Sequence, residues 1–209
     1  VVVKRPLPHV LENPVLRASF EREIILSRAL CHPGIVRGID SGNLEDEEPF
    51  LVLEHIPGRS LRSVIADLQR DETLAPPEVA AAVGAQLCAA LSLLHGLRPP
   101  FPCAGVLVHR DVRPANIVVQ DSGRVVLVDL GLAGPESEVL PPGAGHWSSP
   151  ELQRGAPAGP QSDLYSVGRI VQALLLGSLG DQESPRSETG SDLWSCVARC
   201  LTEEPGERP

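Results

Sequence analysis

The chain opens on an unbroken β-branched run, Val1-Val2-Val3, that stops at a lone cation, Lys4, and this reads as a short strand with a charge at its end. From 15 to 30 the apolar period lengthens. Leu16, Phe20 and Ile24 recur at every fourth position with Leu26 and Leu30 beside them, which predicts a helix that His32-Pro33-Gly34 ends. Ile35 to Ile39 and Phe50 to Leu53 read as strands, joined across the acidic turn Glu45-Asp46-Glu47-Glu48. Ser60 is placed to cap a helix carrying Leu61, Val64, Ile65 and Leu68 on one face. A long helix is expected from Pro77 to His95, with Val79, Val83, Leu87, Leu91 and Leu94 in one stripe and proline at its start. Ile117 to Val119 and Val125 to Val128 flank Asp121-Ser122-Gly123, the pattern of a hairpin. Two more helices carry Leu164, Val167, Val171, Leu174 and Leu175, and then Leu193, Cys196, Val197, Cys200 and Leu201. Residues 132–148 and 177–191 are rich in Gly, Pro, Ser and Glu and read as loops. The whole is a mixed α+β pattern, a small sheet and helix followed by a mainly helical part.

Composition narrows the reading. With 209 residues, 42% of them apolar, the chain can bury a real core, and with aromatics at only 3% that core must be aliphatic. A formal charge of −9 argues against a general nucleic-acid or anionic-membrane surface and favours protein partners. Five cysteines without a CxxC pair suit a reduced interior, with Cys196 and Cys200 on the buried face of their helix, and a cytoplasmic location is expected. No apolar run reaches the roughly 18 residues of a membrane span. Because it starts without Met and stops inside a motif, the chain is expected to be a fragment, the cytosolic domain of a larger protein. The histidines His9, His32, His55, His95 and His146 show no metal-ligand spacing.

The informative segment is His109-Arg110-Asp111-Val112-Arg113-Pro114-Ala115-Asn116, followed after the hairpin by Asp129-Leu130-Gly131, the two aspartates lying 18 positions apart. It resembles the HRDxKPxN catalytic loop and the metal-binding DFG motif of the eukaryotic-type serine/threonine protein kinases. The resemblance runs along the chain. Val3-Lys4 is similar to the strand whose lysine contacts phosphates, and Glu23 falls where its ion-pair partner sits on the next helix. Phe50 to Ile56 looks like the hinge strand, with Leu53 as gatekeeper and the backbone of Glu54 and Ile56 facing adenine. Ser149-Pro150-Glu151 resembles the APE motif, Asp163 to Gly168 the DxxSxG helix start, and Arg208 the arginine that pairs with the APE glutamate.

The resemblance implies a two-lobed protein kinase-like fold, with residues 1–56 a partial small lobe and hinge lacking the glycine-rich hairpin, and residues 57–209 the helical lobe. It implies transfer of the γ-phosphate of ATP to serine or threonine hydroxyls of proteins, with Mg²⁺ as cofactor. Asn116 and Asp129 would supply hard oxygen ligands to the metal, and Asp111 would orient the hydroxyl and take its proton, with Arg113 beside it. Lys4, held by Glu23, would face the phosphates, and Val2 and Val118 would pack above and below adenine. His109 reads as a packed core histidine.

Some positions depart from the family. Arg113 stands where the catalytic loop has lysine, Ala144 where serine/threonine kinases have a threonine, and Leu130 where phenylalanine is usual. Arg98 to Gly105 inserts a proline-rich loop, and 177–191 is short for a substrate-docking region. These departures carry the alternative of a pseudokinase scaffold that binds nucleotide or a partner; a kinase-fold enzyme acting on a small molecule is a weaker third reading. Arg110 before the catalytic aspartate resembles kinases switched by phosphorylation of the activation segment, where Ser137 is the candidate site and its neighbours Glu136 and Glu138 are the competing acids.

Overall fold

The structure, a computed structural model, describes residues 1–44, 48–97, 105–140, 145–180 and 192–209. In chain order its elements are β1 (Val2–Lys4), α1 (Pro8–Glu12), α2 (Pro14–Ala29), β2 (Gly38–Asn43), β3 (Pro49–Leu53), β4 (Arg59–Ser60), α3 (Leu61–Arg70) and α4 (Pro77–Gly96). There follow β5 (Leu107–Val108), β6 (Ile117–Val119), β7 (Val125–Leu127), β8 (Gly134–Pro135), α5 (Pro150–Gln153), α6 (Pro160–Leu176) and α7 (Asp192–Cys200). The acidic turn at 45–47, most of the proline-rich insertion, Ala144 and the segment 181–191 lie outside the described residues.

The first sheet is antiparallel in the order β1-β3-β2, with Val2 opposite Leu53 and Lys4 opposite Leu51. Pro49, Leu51 and Leu53 of the central strand turn one face inward, where Leu51 and Leu53 meet Phe20, Val36 and Val126. Helix α2 starts as its sequence asks, for Asn13 Oδ1 accepts from the backbone N–H of Val15 at 3.0 Å and of Leu16 at 3.3 Å. Its stripe is narrower than the spacing suggests. Phe20 and Leu26 are buried, but Leu16 is 39% exposed.

The strand expected at 35–39 begins three residues later, at Gly38. Ile35 instead forms a parallel bridge with Leu127, and Val36 N–H donates to the Leu127 carbonyl at 2.8 Å, which ties the chain after α2 to the hairpin. Glycine is required at 38 because a Cβ there would lie 2.9 Å from the Ser27 carbonyl carbon of α2.

The larger core gathers α3, α4, α6 and the β6–β7 hairpin. Ser60 Oγ caps α3 by accepting from Ser63 N–H at 3.2 Å. Helix α4 buries Ala80, Val83, Leu87, Ala90, Leu91 and Leu94 but leaves Val79 49% exposed, because a four-residue repeat drifts around a 3.6-residue helix. By length and hydropathy this helix alone, among the described residues, is apolar enough to cross a membrane, yet here it packs against α6 in the core. Cys196 is exposed, a correction to the expected pattern; the buried residue of α7 is Val197. The two-residue strands β4, β5 and β8 are too short to show a period, and so the segment read as a loop from 132 contains β8 paired to β5.

Candidate active site

β1 carries Lys4 to the edge of the first sheet, and α2 brings Glu23, only 2% exposed, to meet it. Lys4 Nζ donates to Glu23 Oε1 at 2.6 Å, to Oε2 at 2.8 Å and to Asp129 Oδ1 at 2.9 Å. Asp129 follows β7, and its Oδ1 also accepts from Gly131 N–H at 2.9 Å. Gly131 is packed closely here, since a Cβ would come within 3.1 Å of Asp129 Oδ1 and 3.3 Å of Glu23 Oε2. Burial opposes ionisation of Asp129, but Lys4 and the Gly131 amide outweigh it and hold the carboxyl below its ordinary range. Lys4 loses hydration as well, yet its two carboxylate partners raise its pKa and keep it an ammonium.

The segment holding Asp111 is braced from α6. Asp163, 1% exposed, accepts from the backbone N–H groups of His109 and Arg110, both at 2.8 Å, and His95 Nε2 lies 2.8 Å from its Oδ2. These bonds hold Arg110 at φ 68°, a left-handed conformation that costs a non-glycine residue of order 1–3 kcal/mol. His109 is 1% exposed, as expected of a core histidine. Asn116 Nδ2 donates to Asp111 Oδ2 at 2.7 Å and to the Asp111 carbonyl at 3.0 Å, and Arg113 Nε lies 3.2 Å from Asp111 Oδ1. Burial pushes the Asp111 carboxyl above its ordinary value against the pull of Arg113 and Asn116.

Between the first sheet and the hairpin lies a cavity of about 370 Å³. Val2 and Val118 line it, as do Lys4, Leu53, Glu54 and Ile56, and it reaches Asn116 and Asp129. Glu54 is fixed twice, since its backbone N–H donates to the Arg37 carbonyl at 3.0 Å and its Oε1 accepts from Arg37 N–H at 2.9 Å. Its N–H is therefore spent within the protein, and the carbonyl is the hinge group it can offer to a ligand. Glu23 stands behind Lys4, outside that lining, and an adjoining concavity of about 470 Å³ joins Lys4, Glu23 and Asp129 to Asp111 and Arg113. The candidate residues thus converge on two connected hollows.

Asn116 spends its amide nitrogen on Asp111 and keeps a carbonyl oxygen as an acceptor, while Asp129 stays ionised; both offer hard oxygen donors that suit Mg²⁺. Among the described residues no group of three His, Cys, Asp or Glu side chains forms a metal cage.

Arg208 reaches Glu151 through a two-pronged pair, Nη1 to Oε1 at 2.7 Å and Nη2 to Oε2 at 3.0 Å, with Ser162 Oγ also donating at 2.7 Å. Despite burial, these partners hold the Glu151 carboxyl at about 2. Two features were missed from sequence. His95 was given no chemistry, although it meets Asp163, and the acids beside Ser137 were read either as opposing its phosphorylation or as constitutive contacts, without Arg22 as a partner of Glu138. Glu138 Oε2 in fact accepts from Arg22 Nη1 at 2.8 Å and lies 3.1 Å from Arg110 Nη1, so Arg110 is already engaged, and Ser137 beside it is exposed. The one signal for Glu138 was Arg22, next to Glu23 on α2.

The protein kinase domain profile matches residues 3–206. A probable serine/threonine-protein kinase PknB of Corynebacterium glutamicum is 32% identical over 188 residues, covering 85% of this chain and 27% of that protein. The serine/threonine-protein kinase PknB of Mycobacterium tuberculosis is 30% identical over 188 residues, covering 85% of this chain and 28% of its own length. The chain therefore spans about a quarter of these relatives. Among solved structures, the PknI kinase domain of Mycobacterium tuberculosis superposes with a TM-score of 0.71 at 26% identity, covering 99% of this chain and 79% of that one.

Proposed function

The chain belongs to the protein kinase domain family, and on that premise we propose that the whole protein transfers the γ-phosphate of ATP to serine or threonine hydroxyls of other proteins. The observation that carries the reading is Lys4, whose single ammonium bonds Glu23 and Asp129 at once and so joins helix α2 to the segment after β7.

In this reading the nucleotide lies in the cavity between residues 1–56 and 57–209, its base between Val2 and Val118 and against the Glu54 carbonyl and the Ile56 backbone. Lys4 binds its phosphates and is kept in place by Glu23. Asp129 and Asn116 would hold Mg²⁺, which would supply charge neutralisation to the phosphates. Asp111 orients the substrate hydroxyl and takes its proton; its raised pKa makes it the better proton acceptor of the two aspartates, while the lowered pKa of Asp129 keeps a carboxylate for the cation. Arg113 steadies the charge of Asp111 from the substrate side. Because ATP and reduced thiols belong to the cytosol, we assign the activity there.

The test separates chemistry from binding. In the full-length protein, Asp111→Asn should lower kcat on a serine peptide by roughly 10²-fold or more with nucleotide affinity nearly unchanged, whereas Asp129→Asn should also weaken Mg²⁺-dependent nucleotide binding. Equal turnover in wild type and Asp111→Asn would remove Asp111 as the base.

A further inference from the structure

Next to Asp111 the structure holds a concavity of about 310 Å³ in which Arg62, Arg113 and His146 stand over an apolar floor of Pro114, Trp147 and Leu179. Acidic residues outnumber Lys and Arg 27 to 18 in this chain, yet none is among the described lining residues. Each of the three side chains comes from a different part of the fold. Arg62 lies exposed on the first turn of α3, Arg113 follows the catalytic aspartate and is about half exposed, and His146 precedes α5 with its ring 4.6 Å from that of Trp147. The turn at 114–116 packs on α3, so Arg62 and Arg113 are held by contacting elements.

We propose that this concavity binds an anionic side chain of the protein substrate, a carboxylate or a phosphate, a few residues from the hydroxyl that reacts at Asp111. The proposal rests on the kinase reading above and gives it a substrate class: serines and threonines flanked by negative charge. Arginine suits the task better than lysine, because its planar fork grips carboxylate or phosphate through two parallel hydrogen bonds. Arg113 engages Asp111 through Nε, at one edge of its guanidinium. The same positive charge disfavours peptides with lysine or arginine at these positions.

The experiment uses the full-length protein with ATP and one serine peptide scaffold, placing glutamate, phosphoserine, glutamine or lysine in turn at each position flanking the acceptor. Glutamate or phosphoserine at one or more positions should raise kcat/KM about tenfold over glutamine, and lysine there should lower it. Whichever anion acts more strongly identifies the source of the charge. Arg62→Glu should collapse the glutamate-to-glutamine ratio toward one while Arg62→Lys keeps most of it, and raising salt should erode it in wild type. Equal kcat/KM for the glutamate, phosphoserine, glutamine and lysine peptides, in a protein that phosphorylates them all, would overturn the proposal and leave the kinase reading intact. A preference that Arg62→Glu does not change would overturn it too. Absence of transfer to every peptide would instead overturn the kinase reading, and the substrate class with it.

Discussion

Asp111 and Asp129 carry the same side chain, and their surroundings drive them apart. Burial raises both, but Asp129 faces an ammonium and a backbone amide and ends low, whereas Asp111 faces the half-exposed Arg113 and an amide nitrogen and ends high. The countercharge at 113 therefore sets how readily Asp111 gives up its proton. Arg113 lowers the Asp111 pKa, so Arg113→Met should raise it further, and a base must be deprotonated to act. The acid limb of the pH profile of kcat/KM should move to higher pH in that variant. Because Arg113 is 49% exposed and well screened, added salt should shrink the displacement between the two profiles. An acid limb that stays in place, or moves down, would show that Arg113 does not act on Asp111 through charge.

At the scale of elements, two ionic contacts couple α2 to the segment after β7, beside the hydrogen bond that Ser19 Oγ donates to the Gly131 carbonyl at 2.7 Å. One is Lys4 with Glu23 and Asp129; the other is Glu138, which lies between Arg22 of α2 and the buried Arg110. Arg110 also donates to the Pro135 carbonyl, and Arg22 Nη1 to that of Ala133 at 3.3 Å, so the segment is held at three successive points. Glu138 does the charge pairing that a phosphate on Ser137 would do, without any modification. Replacing it by glutamine should leave Arg22 and Arg110 facing each other without a carboxylate, at a cost of about 1.5–3 kcal/mol for a charged hydrogen bond. Hydrogen exchange should quicken in α2 and in residues 131–140 together, while α4 and α6 keep their protection. Quickening confined to 131–140 would show that Glu138 does not hold the helix. The Lys4–Glu23 pair was legible in sequence, since a strand-end lysine and a helix glutamate sit at recognisable positions, but the bond from Lys4 to Asp129 was not read there. For Glu138 the sequence left a constitutive acidic contact and a phosphorylated Ser137 as equal readings, and only the fold brings Arg22 and Arg110 together on it. Likewise the departure of β2 from 35–39 came with Ile35 and Val36 pairing to Leu127 instead, a tertiary contact without periodic signature.

At the scale of the whole molecule, one ion pair spans the helical part: Glu151 at the start of α5 binds Arg208, 57 residues on, and that guanidinium also donates to the carbonyls of Thr202, Glu203 and Gln161 and lies over Tyr165, 5.0 Å from the ring centroid. Arg208 has all its contacts within one buried pocket, so loss of the carboxylate leaves a charge with nowhere to hydrate, which typically costs about 3–5 kcal/mol. The effect has a defined pH window. The Glu151 pKa is depressed from 4.5 to about 2 in the folded protein, so its stabilisation is fully present above about 4.5 and is lost as pH falls through about 2. Asp111 works the other way: its raised pKa means the folded state holds that proton more tightly, which favours folding slightly as pH falls and partly masks the Glu151 loss in a bulk titration. The comparison that isolates Glu151 is therefore wild type against Glu151→Gln, by urea unfolding at a series of pH values. At neutral pH the variant should be less stable by several kcal/mol, and the gap should close progressively between pH 4.5 and pH 2 as the wild-type carboxyl protonates. A gap constant across that range would mean that packing, and not the charge of Glu151, holds Arg208 against the helices.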